Sequence, residues 1–445
     1  KMRNKLYILP FDHRGSFKRI LGVKDPLSKK DVKKIKDSKK MIYSAFKKAL
    51  KKGLEKDYAG ILVDETYGKE ILLDAKKKGR VTCYTLEKSG QEEFFFDRKD
   101  YKKRLDYFKP SYAKVLLRYN PAGNRAMNKR QAKKLAGLSK YLKKEKIGFL
   151  LEVLEIPTEK QLKKYKSKTV FDHKIRAKLM VEAISELQQA GVNPDIWKLE
   201  GLYKKELMEK VAEQVISFNP QARIVVLGRG ENAKKAEQWI RTAAKVEAVI
   251  GFAVGRTVFQ QPLVNYQNKK ISKSQAINKI KENYLRFVTV FEKEKMKQQK
   301  KIYIGSDHAG FKLKRQIKDW LKIDNVHYQD LGNVVLDVTD DYPDYAEKVA
   351  RKVVKEKTLG VLICGSAEGV CIAANKIKGV RAVTPFSLKS ARLAREHNDA
   401  NIICLSGWFE NFYKTTKMLK VFLNTSFSGE KRHVRRINKI KKMEK

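Results

Sequence analysis

Thirteen short apolar runs, alternating with stretches of helical spacing, limit what this chain can fold into. The first eight are Leu6–Phe11, Tyr58–Asp64, Val81–Leu86, Tyr112–Asn120, Gly148–Leu154, Asp195–Gly201, Arg223–Gly230 and Val249–Phe259. Segments between them, such as Ile175–Ala190 and Ala233–Val246, are rich in Lys, Glu, Ala and Leu. Strands apolar on both faces belong in a parallel sheet covered by helices. Eight strand–helix units within about 260 residues have the arithmetic of a (β/α)8 barrel. A long helix is expected from Ser272 to Lys300, ending in the charged stretch Glu292–Lys301. The rhythm then restarts with Ile302–Asp307, Val326–Leu331, Gly360–Gly365, Arg381–Phe386 and Asn401–Gly407, as in an open doubly wound sheet. The tail, Lys431–Lys445, reads as a basic helix. The expected fold class is therefore α/β: a TIM barrel over residues 1–290, a charged linker over 291–300, and a Rossmann-like parallel-sheet domain over 301–445.

Composition closes off several function classes. At 445 residues, 42% of them hydrophobic, the chain buries full cores and is not disordered. No apolar run reaches the roughly 18–20 residues of a membrane span, and residues 1–10 lack the apolar stretch of a secretion signal. Cys83, Cys364, Cys371 and Cys404 fit neither a disulfide framework nor paired zinc ligands, so a reducing cytoplasm and no metal are expected. The formal net charge of +49 raises the question of a polyanion partner. The excess is mostly Lys, spread over both halves on polar helix faces such as Lys29–Lys56. A nucleic-acid site would be local, Arg-rich and interleaved with aromatics. Solvated faces are the expected reading, and a polyanion-binding protein the alternative.

In the second half, chemistry-bearing residues collect where strands end. Gly305-Ser306-Asp307-His308-Ala309-Gly310 opens into a helix and offers backbone N–H groups to an anion. Cys364 ends the third run beside the turn Gly365-Ser366-Ala367-Glu368-Gly369, where a thiol becomes more acidic. A buried inert cysteine, as expected for Cys371 and Cys404, is the alternative. His397 sits just before the fifth run, and Arg432 and Arg436 share a face of the terminal helix. Arg pairs suit phosphate oxygens, although a plain basic tail has the same pattern.

The segments GSDHAGFKLK, DYPDYAEKVA, LICGS…GV.IAANKI.G.RA, ARLAREHNDAN and RHVRRI run in order through residues 301–440. Together they resemble the type B ribose-5-phosphate isomerases and the related galactose-6-phosphate isomerase subunits. The resemblance implies a cofactor-free aldose–ketose isomerase working through an enediol. Cys364 would be the base, and the backbone of Gly365 to Val370, Gly369 included, with the Ser366 hydroxyl would hold the enediolate. His397 would open the sugar ring, while Asp307 and Asn398 orient hydroxyls. His308, Arg432 and Arg436 would hold the phosphate, with Tyr342 near the ring. Relatives are dimers with sites formed across subunits, so a homodimer or higher oligomer through this domain is expected. The chain departs from the pattern at Ala367, where relatives carry Gly, and at Trp408, where they commonly carry a phosphate-contacting Arg. A subgroup of the family uses a Glu base at the place of Val370, which leaves Cys364 as the base here. The departures leave the identity of the sugar phosphate open.

Barrels carry chemistry at the C-terminal ends of their strands. Those ends hold Asp12-His13-Arg14-Gly15, Asp64-Glu65, Glu87-Lys88-Ser89-Gly90, Lys114 and Arg118, Glu152 and Glu155, Lys198 and Glu200, Gly228-Arg229-Gly230, and Gly255-Arg256. Lys198 lies within the apolar run Ile196-Trp197-Lys198-Leu199; facing the interior, its amine would be desolvated into a Schiff-base nucleophile. A structural ion pair with Glu152 explains the pattern equally well. FDHRGSFKRIL, ILVDETYG, DIWKLEG and GFAVGRTVF resemble the domain fused to bacterial 5-dehydro-2-deoxygluconokinase and, more distantly, tagatose-1,6-bisphosphate aldolase, over residues 5–265. The second resemblance implies a class I aldolase site of Asp12, Asp64, Lys114, Glu152 and Lys198. Lys198 would form the Schiff base, Glu152 shuttle protons, and Gly255-Arg256 hold a phosphate. His13 stands where the tagatose enzyme has Gln. The expected function is a bifunctional sugar-phosphate enzyme, an isomerase fused to an aldolase-like lyase. The alternative keeps the isomerase and makes the barrel a non-catalytic sugar-phosphate-binding module.

Overall fold

Alternation of buried strand and amphipathic helix builds both halves of the molecule. The computed structural model describes residues 4–230, 232–298, 301–324, 326–409 and 411–444. It divides into two units, Lys1–Lys295 and Met296–Lys445. Helix Lys273–Gln298 runs through residues 291–298 of the expected linker, while residues 299 and 300 lie outside those described.

In the first unit, β1 (Leu6–Pro10), β2 (Ala59–Val63), β3 (Val81–Thr85), β4 (Tyr112–Arg118), β5 (Gly148–Leu154), β6 (Ile196–Glu200), β7 (Arg223–Leu227) and β8 (Val249–Ala253) form a closed barrel, each strand parallel to its neighbours. Strand residues alternate between two cores. Leu6, Ile8, Leu62, Val81, Cys83, Leu150, Ile196 and Val225 fill the interior. Tyr7, Leu9, Ile61, Val63, Leu151, Trp197 and Leu199 pack outward with the apolar helix faces. Helix Lys29–Lys51 is typical of the lysine excess. Ser28 and Asp31 form its capping box, and Ile35, Met41, Ile42, Ala45, Phe46 and Ala49 are buried. Each such large side chain contributes about 1.5–3 kcal/mol by leaving water, while most lysines stay on the wet face. Phe46→Ala in this layer costs about 3–5 kcal/mol.

Between β5 and helix Arg176–Gln189 the chain inserts two short helices, Glu159–Tyr165 and Lys168–Lys174, that run-counting does not reveal. At the same end of the barrel a β-carbon on Gly255 would strike the Pro10 carbonyl, so only glycine lets the chain after β8 turn so closely past β1.

In the second unit β9 (Ile302–Ser306), β10 (Tyr328–Asp330), β11 (Gly360–Cys364), β12 (Ala382–Val383) and β13 (Ile402–Ser406) make a parallel sheet in the order β10-β9-β11-β13-β12. Two separate apolar clusters pack on the sheet. One contains Tyr303, Val349, Leu362 and Cys404; the other contains Ile304, Ile317, Val361, Ile403 and Leu419. The chain moves from β9 to β10 on one side and returns to β11 on the other, so the order reverses between β9 and β11. Open α/β sheets bind ligands at the C-terminal edge of that reversal. Asp307 follows β9 there and Cys364 ends β11. Among the described residues no helix is long and apolar enough to cross a membrane.

Candidate active sites

The register of the barrel carries a layer of charge above its apolar interior. Asp12 continues the parity of Leu6 and Ile8, Glu87 that of Val81 and Cys83, and Glu152 pairs across from Lys198. All five of Asp12, Glu87, Lys114, Glu152 and Lys198 line one pocket of about 380 Å³, together with His13, Arg14, Arg118, Arg229, Gly255 and Arg256. Lys114 is the hub. Its Nζ lies 3.1 Å from Asp12 Oδ2, 2.5 Å from Glu87 Oε1 and 3.0 Å from Glu152 Oε2. Lys198 Nζ lies 2.7 Å from the same Glu152 oxygen.

The environments divide these groups. Burial pushes the Lys114 ammonium down, but Asp12, Glu152 and Glu87 outweigh it and hold its pKa well above normal. Lys114 thus stays a cation. Burial raises Glu152, but Lys114 and Lys198 hold it below the usual carboxylate range; Asp12 is held down likewise by Lys114. Glu87 goes the other way: burial lifts it, helped by Asp12 and only partly opposed by Lys114. The His13 imidazole is pushed down to about 4, first by burial, then by the nearby Arg256, Lys198 and Lys39 cations, so it is neutral at neutral pH.

A second buried cluster flanks the pocket at the ends of β6 and β7, joined by helices Lys168–Lys174 and Arg176–Gln189. Arg229 Nε lies 2.8 Å from Glu200 Oε1 and its Nη1 3.1 Å from Asp172 Oδ2; Arg176 pairs with both carboxylates. Arg256 Nη2 donates to the Arg229 carbonyl at 2.8 Å, which ties the expected phosphate-binding Arg256 to this network. Asp64 does not join the pocket lining. It caps helix Glu65–Lys77 through the Tyr67 N–H at 3.0 Å and pairs with Lys39, which is fully buried and also donates to the Phe11 carbonyl. The Asp64 carboxylate is shared between a helix N-terminus and a lysine from helix Lys29–Lys51. Glu87 is the strand-end acid at the pocket that the motif comparison passed over. Its continuation of the Val81–Cys83 parity was the available signal.

In the second unit Cys364 is 4% exposed. The turn after it brings Ala367 to φ +77°, a left-handed conformation where relatives use Gly. The Ser366 hydroxyl accepts the Glu368 N–H at 3.3 Å. Gly365 lies against the Trp408 indole and Gly369 against the Tyr342 ring, where β-carbons would fall 2.5 and 2.7 Å from ring atoms. Asp307 is buried beside Cys364's strand, its Oδ1 accepting the Gly310 N–H at 2.9 Å, and burial raises its pKa. His308 Nδ1 lies 2.8 Å from Asp340 Oδ1, and that carboxylate raises the imidazole. Asn333 Nδ2 donates to the other Asp340 oxygen at 2.7 Å. Asp340, outside every quoted motif, is thus the residue that orients His308.

The His397 ring packs on that of buried His433 with centroids 4.2 Å apart, and Ser428 Oγ lies 2.7 Å from His433 Nδ1. Arg432 and Arg436 are exposed, with Arg432 Nε donating to Glu430 at 2.8 Å; Asn398 is exposed as well. Among the described residues of one chain no hydrogen bond or ion pair joins Cys364 to His397, Arg432 or Arg436. Within a chain, then, Cys364, Ser366, Asp307 and His308 gather at one sheet edge. All four cysteines are free thiols. Cys371, expected to be an inert buried residue, is partly exposed, and a hydrogen bond with Cys404 brings its thiol down to about 7.

Residues 302–440 match the family model "Ribose/Galactose Isomerase", and residues 1–295 match "Uncharacterized protein conserved in bacteria (DUF2090)". Over 146 residues the chain is 49% identical to a probable ribose-5-phosphate isomerase B of Mycoplasma genitalium, spanning 32% of this chain and 95% of that protein. It is 38% identical over 146 residues to the ribose-5-phosphate isomerase B of Mycobacterium leprae, spanning 33% and 90%. Among solved structures it is similar to the Mycoplasma genitalium isomerase with bound ribulose-5-phosphate. That match has 47% identity, 32% of this chain and 95% of the other covered, and a TM-score of 0.31.

Proposed function

Since the chain belongs to the ribose/galactose isomerase family through residues 302–440 and to the DUF2090 family through residues 1–295, we propose a fused enzyme of sugar-phosphate metabolism. Its second unit interconverts ribose 5-phosphate and ribulose 5-phosphate. The observation that carries this reading is the position of Cys364, at the strand-order reversal beside Asp307 and the turn 365–370. Cys364 as thiolate takes the proton from C2 of the open-chain aldose and returns it to C1. Charge on the enediolate oxygens is met by the backbone N–H groups of the turn and the Ser366 hydroxyl. Asp307 and Asn398 orient hydroxyls, His397 opens the ring, and Tyr342 lies along it. His308, Arg432 and Arg436 hold the phosphate. Among the described residues of one chain no hydrogen bond or ion pair links His397, Arg432 or Arg436 to Cys364, and a second copy is therefore proposed to complete the site. The test is turnover of ribose 5-phosphate by the intact chain, with Cys364→Ser folded and at least about 100-fold slower. Near-normal turnover by that variant overturns the assignment.

The barrel is proposed as a class I lyase of ketose phosphates. A buried amine beside a carboxylate at the mouth of a barrel supports this reading. Lys198 gives a proton to Glu152, 2.7 Å away, and adds to the substrate ketone. Lys114 and Asp12 orient oxygens, and Gly255 and Arg256 receive a phosphate. Borohydride reduction in the presence of ketose phosphates attaches the sugar to Lys198 if this is correct. No adduct on the folded chain favours a barrel that only binds.

A further inference from the structure

Glu87 is placed among the pocket's working groups but has no role in the reading above. The residue is 8% exposed. Its Oε1 accepts from Lys114 Nζ at 2.5 Å, and its backbone carbonyl accepts from Arg14 Nη2 at 2.5 Å. Its other carboxyl oxygen, Oε2, is buried with no hydrogen-bond partner among the described residues, although the residue lines the pocket. An ionised oxygen left unpartnered there would cost several kcal/mol; a protonated one has a hydrogen to offer an incoming ligand.

Glu87 and Glu152 flank the same ammonium from opposite sides. Glu152 faces two lysines through a single oxygen, whereas Glu87 faces one lysine that it shares with Asp12 and Glu152. Two carboxyls whose surroundings push them apart divide acid and base work between them. We propose that Glu87 is a catalytic residue of the barrel, the general acid that expels water from the Lys198 carbinolamine, with Glu152 as its complementary base. This rests on the Schiff-base reading of the barrel.

The step balances without any further reactant. Lys198 passes one proton to Glu152, and its lone pair forms the C–N bond to the ketone carbon. The second nitrogen proton reaches the former carbonyl oxygen, which gives a neutral carbinolamine. Glu87 then donates its carboxyl proton to that hydroxyl. The C–O bond breaks, water departs, and the nitrogen lone pair forms the C=N bond of the iminium. Glu87 is left as a carboxylate and recovers the proton when water adds back at the end of turnover.

The test measures the rate of borohydride-trapped adduct at Lys198 by mass, with dihydroxyacetone phosphate and ribulose 5-phosphate as probes, across pH. Glu87→Gln keeps the shape and an oxygen for Lys114 but has no acidic proton. Trapping is expected to slow roughly 100-fold and to lose the fall in rate at high pH that deprotonation of Glu87 imposes. Lys114 and Asp12 act on the carboxyl, His13, Arg14 and Glu152 line the same pocket, and all five remain in the variant, so a limb that belongs to one of them persists. Glu87→Asp, checked by thermal melting alongside, keeps the limb with an intermediate rate, and serves if the amide variant does not fold. A Glu87→Gln chain that labels at the wild-type rate with the wild-type pH profile overturns the proposal and leaves the Schiff-base reading standing. Wild-type chain that labels with neither probe removes both.

Discussion

The indole of Trp408 lies over Gly365, and the Trp408 backbone N–H donates to the Gly365 carbonyl at 3.2 Å. The large ring where relatives carry an arginine is therefore a wall of the turn that follows Cys364. A β-carbon at Gly365 would stand 2.5 Å from the ring. Gly365→Ala is expected to displace indole or turn, at about 1–3 kcal/mol, and to lower isomerase turnover roughly 10-fold or more. Gly365→Ala combined with Trp408→Ala recovers activity relative to Gly365→Ala. Turnover measured on the single and double variants decides it; no recovery means the collision is not with the ring.

The proposed sharing of the isomerase site between copies has a simple signature. Cys364→Ser and His397→Asn are each expected to be inactive. When the two are unfolded and refolded together, mixed dimers hold one intact site of two. Activity then returns to about one quarter of wild type. Refolded mixtures that stay inactive place both groups in the same chain.

Lys114 is the cation on which three buried acids depend. Lys114→Met leaves Asp12 and Glu87 without it and Glu152 with Lys198 alone. Loss of one partner from such a cluster costs about 3–5 kcal/mol. In the wild type Asp12 and Glu152 have depressed pKa values, so the stability they contribute is present above their unfolded values and lost as pH falls through the folded ones. In the variant those carboxyls are raised, so its deficit should grow as pH rises through about 4 and beyond. Urea midpoints from pH 3 to 8 measure this; a deficit independent of pH would count against the electrostatic account.

Asp340 raises the His308 imidazole, which is half exposed and is proposed to hold the phosphate. A raised histidine contributes stability below its unfolded value, about 6.5, and loses it as pH rises through the folded value. Phosphate binding follows the same proton. KM for ribose 5-phosphate is expected to rise as pH passes the raised value, and Asp340→Asn to move that rise to lower pH with kcat little changed. A KM profile identical in the two proteins contradicts this role.

Ala367 occupies a left-handed conformation at φ +77°. Its Cβ costs about 1–2 kcal/mol there, and glycine is free of that cost while losing more chain entropy on folding. Ala367→Gly is expected to leave stability level or up to about 1 kcal/mol higher, unlike glycine at an ordinary position. Thermal melting of the variant is the measurement, and a clear loss of stability would show that the methyl group's packing outweighs the strain.

How far the chain could be read in advance differs between its parts. The thirteen runs are strands in the structure, although run ends overshoot: Val249–Phe259 holds only Val249–Ala253 as strand, because the helix begins at Arg256. Arg381–Phe386 shrinks to Ala382–Val383 at the sheet edge, where one neighbour gives little ladder to extend. Parity along a strand is local, so the inward aim of Lys114 and Lys198 was legible. Parity could not separate Asp64 from Glu87, since Leu62 and Cys83 both face the interior. What separated them was Lys39, 25 residues from Asp64 in the chain and brought to it by the packing of a helix.

The order of residues alone determined the alternation of strand and helix, the change from a closed to an open sheet, and the identity of the groups at strand ends. Periodicity and turn chemistry act over a few neighbours, which is why they can be read directly. Tertiary structure decided which carboxylate meets which amine, that Glu87 and Glu152 flank one Lys114, and that the His397 ring packs on that of His433. Those outcomes depend on strand register and helix docking between distant segments, and burial then sets each group's charge by partners that no local pattern names.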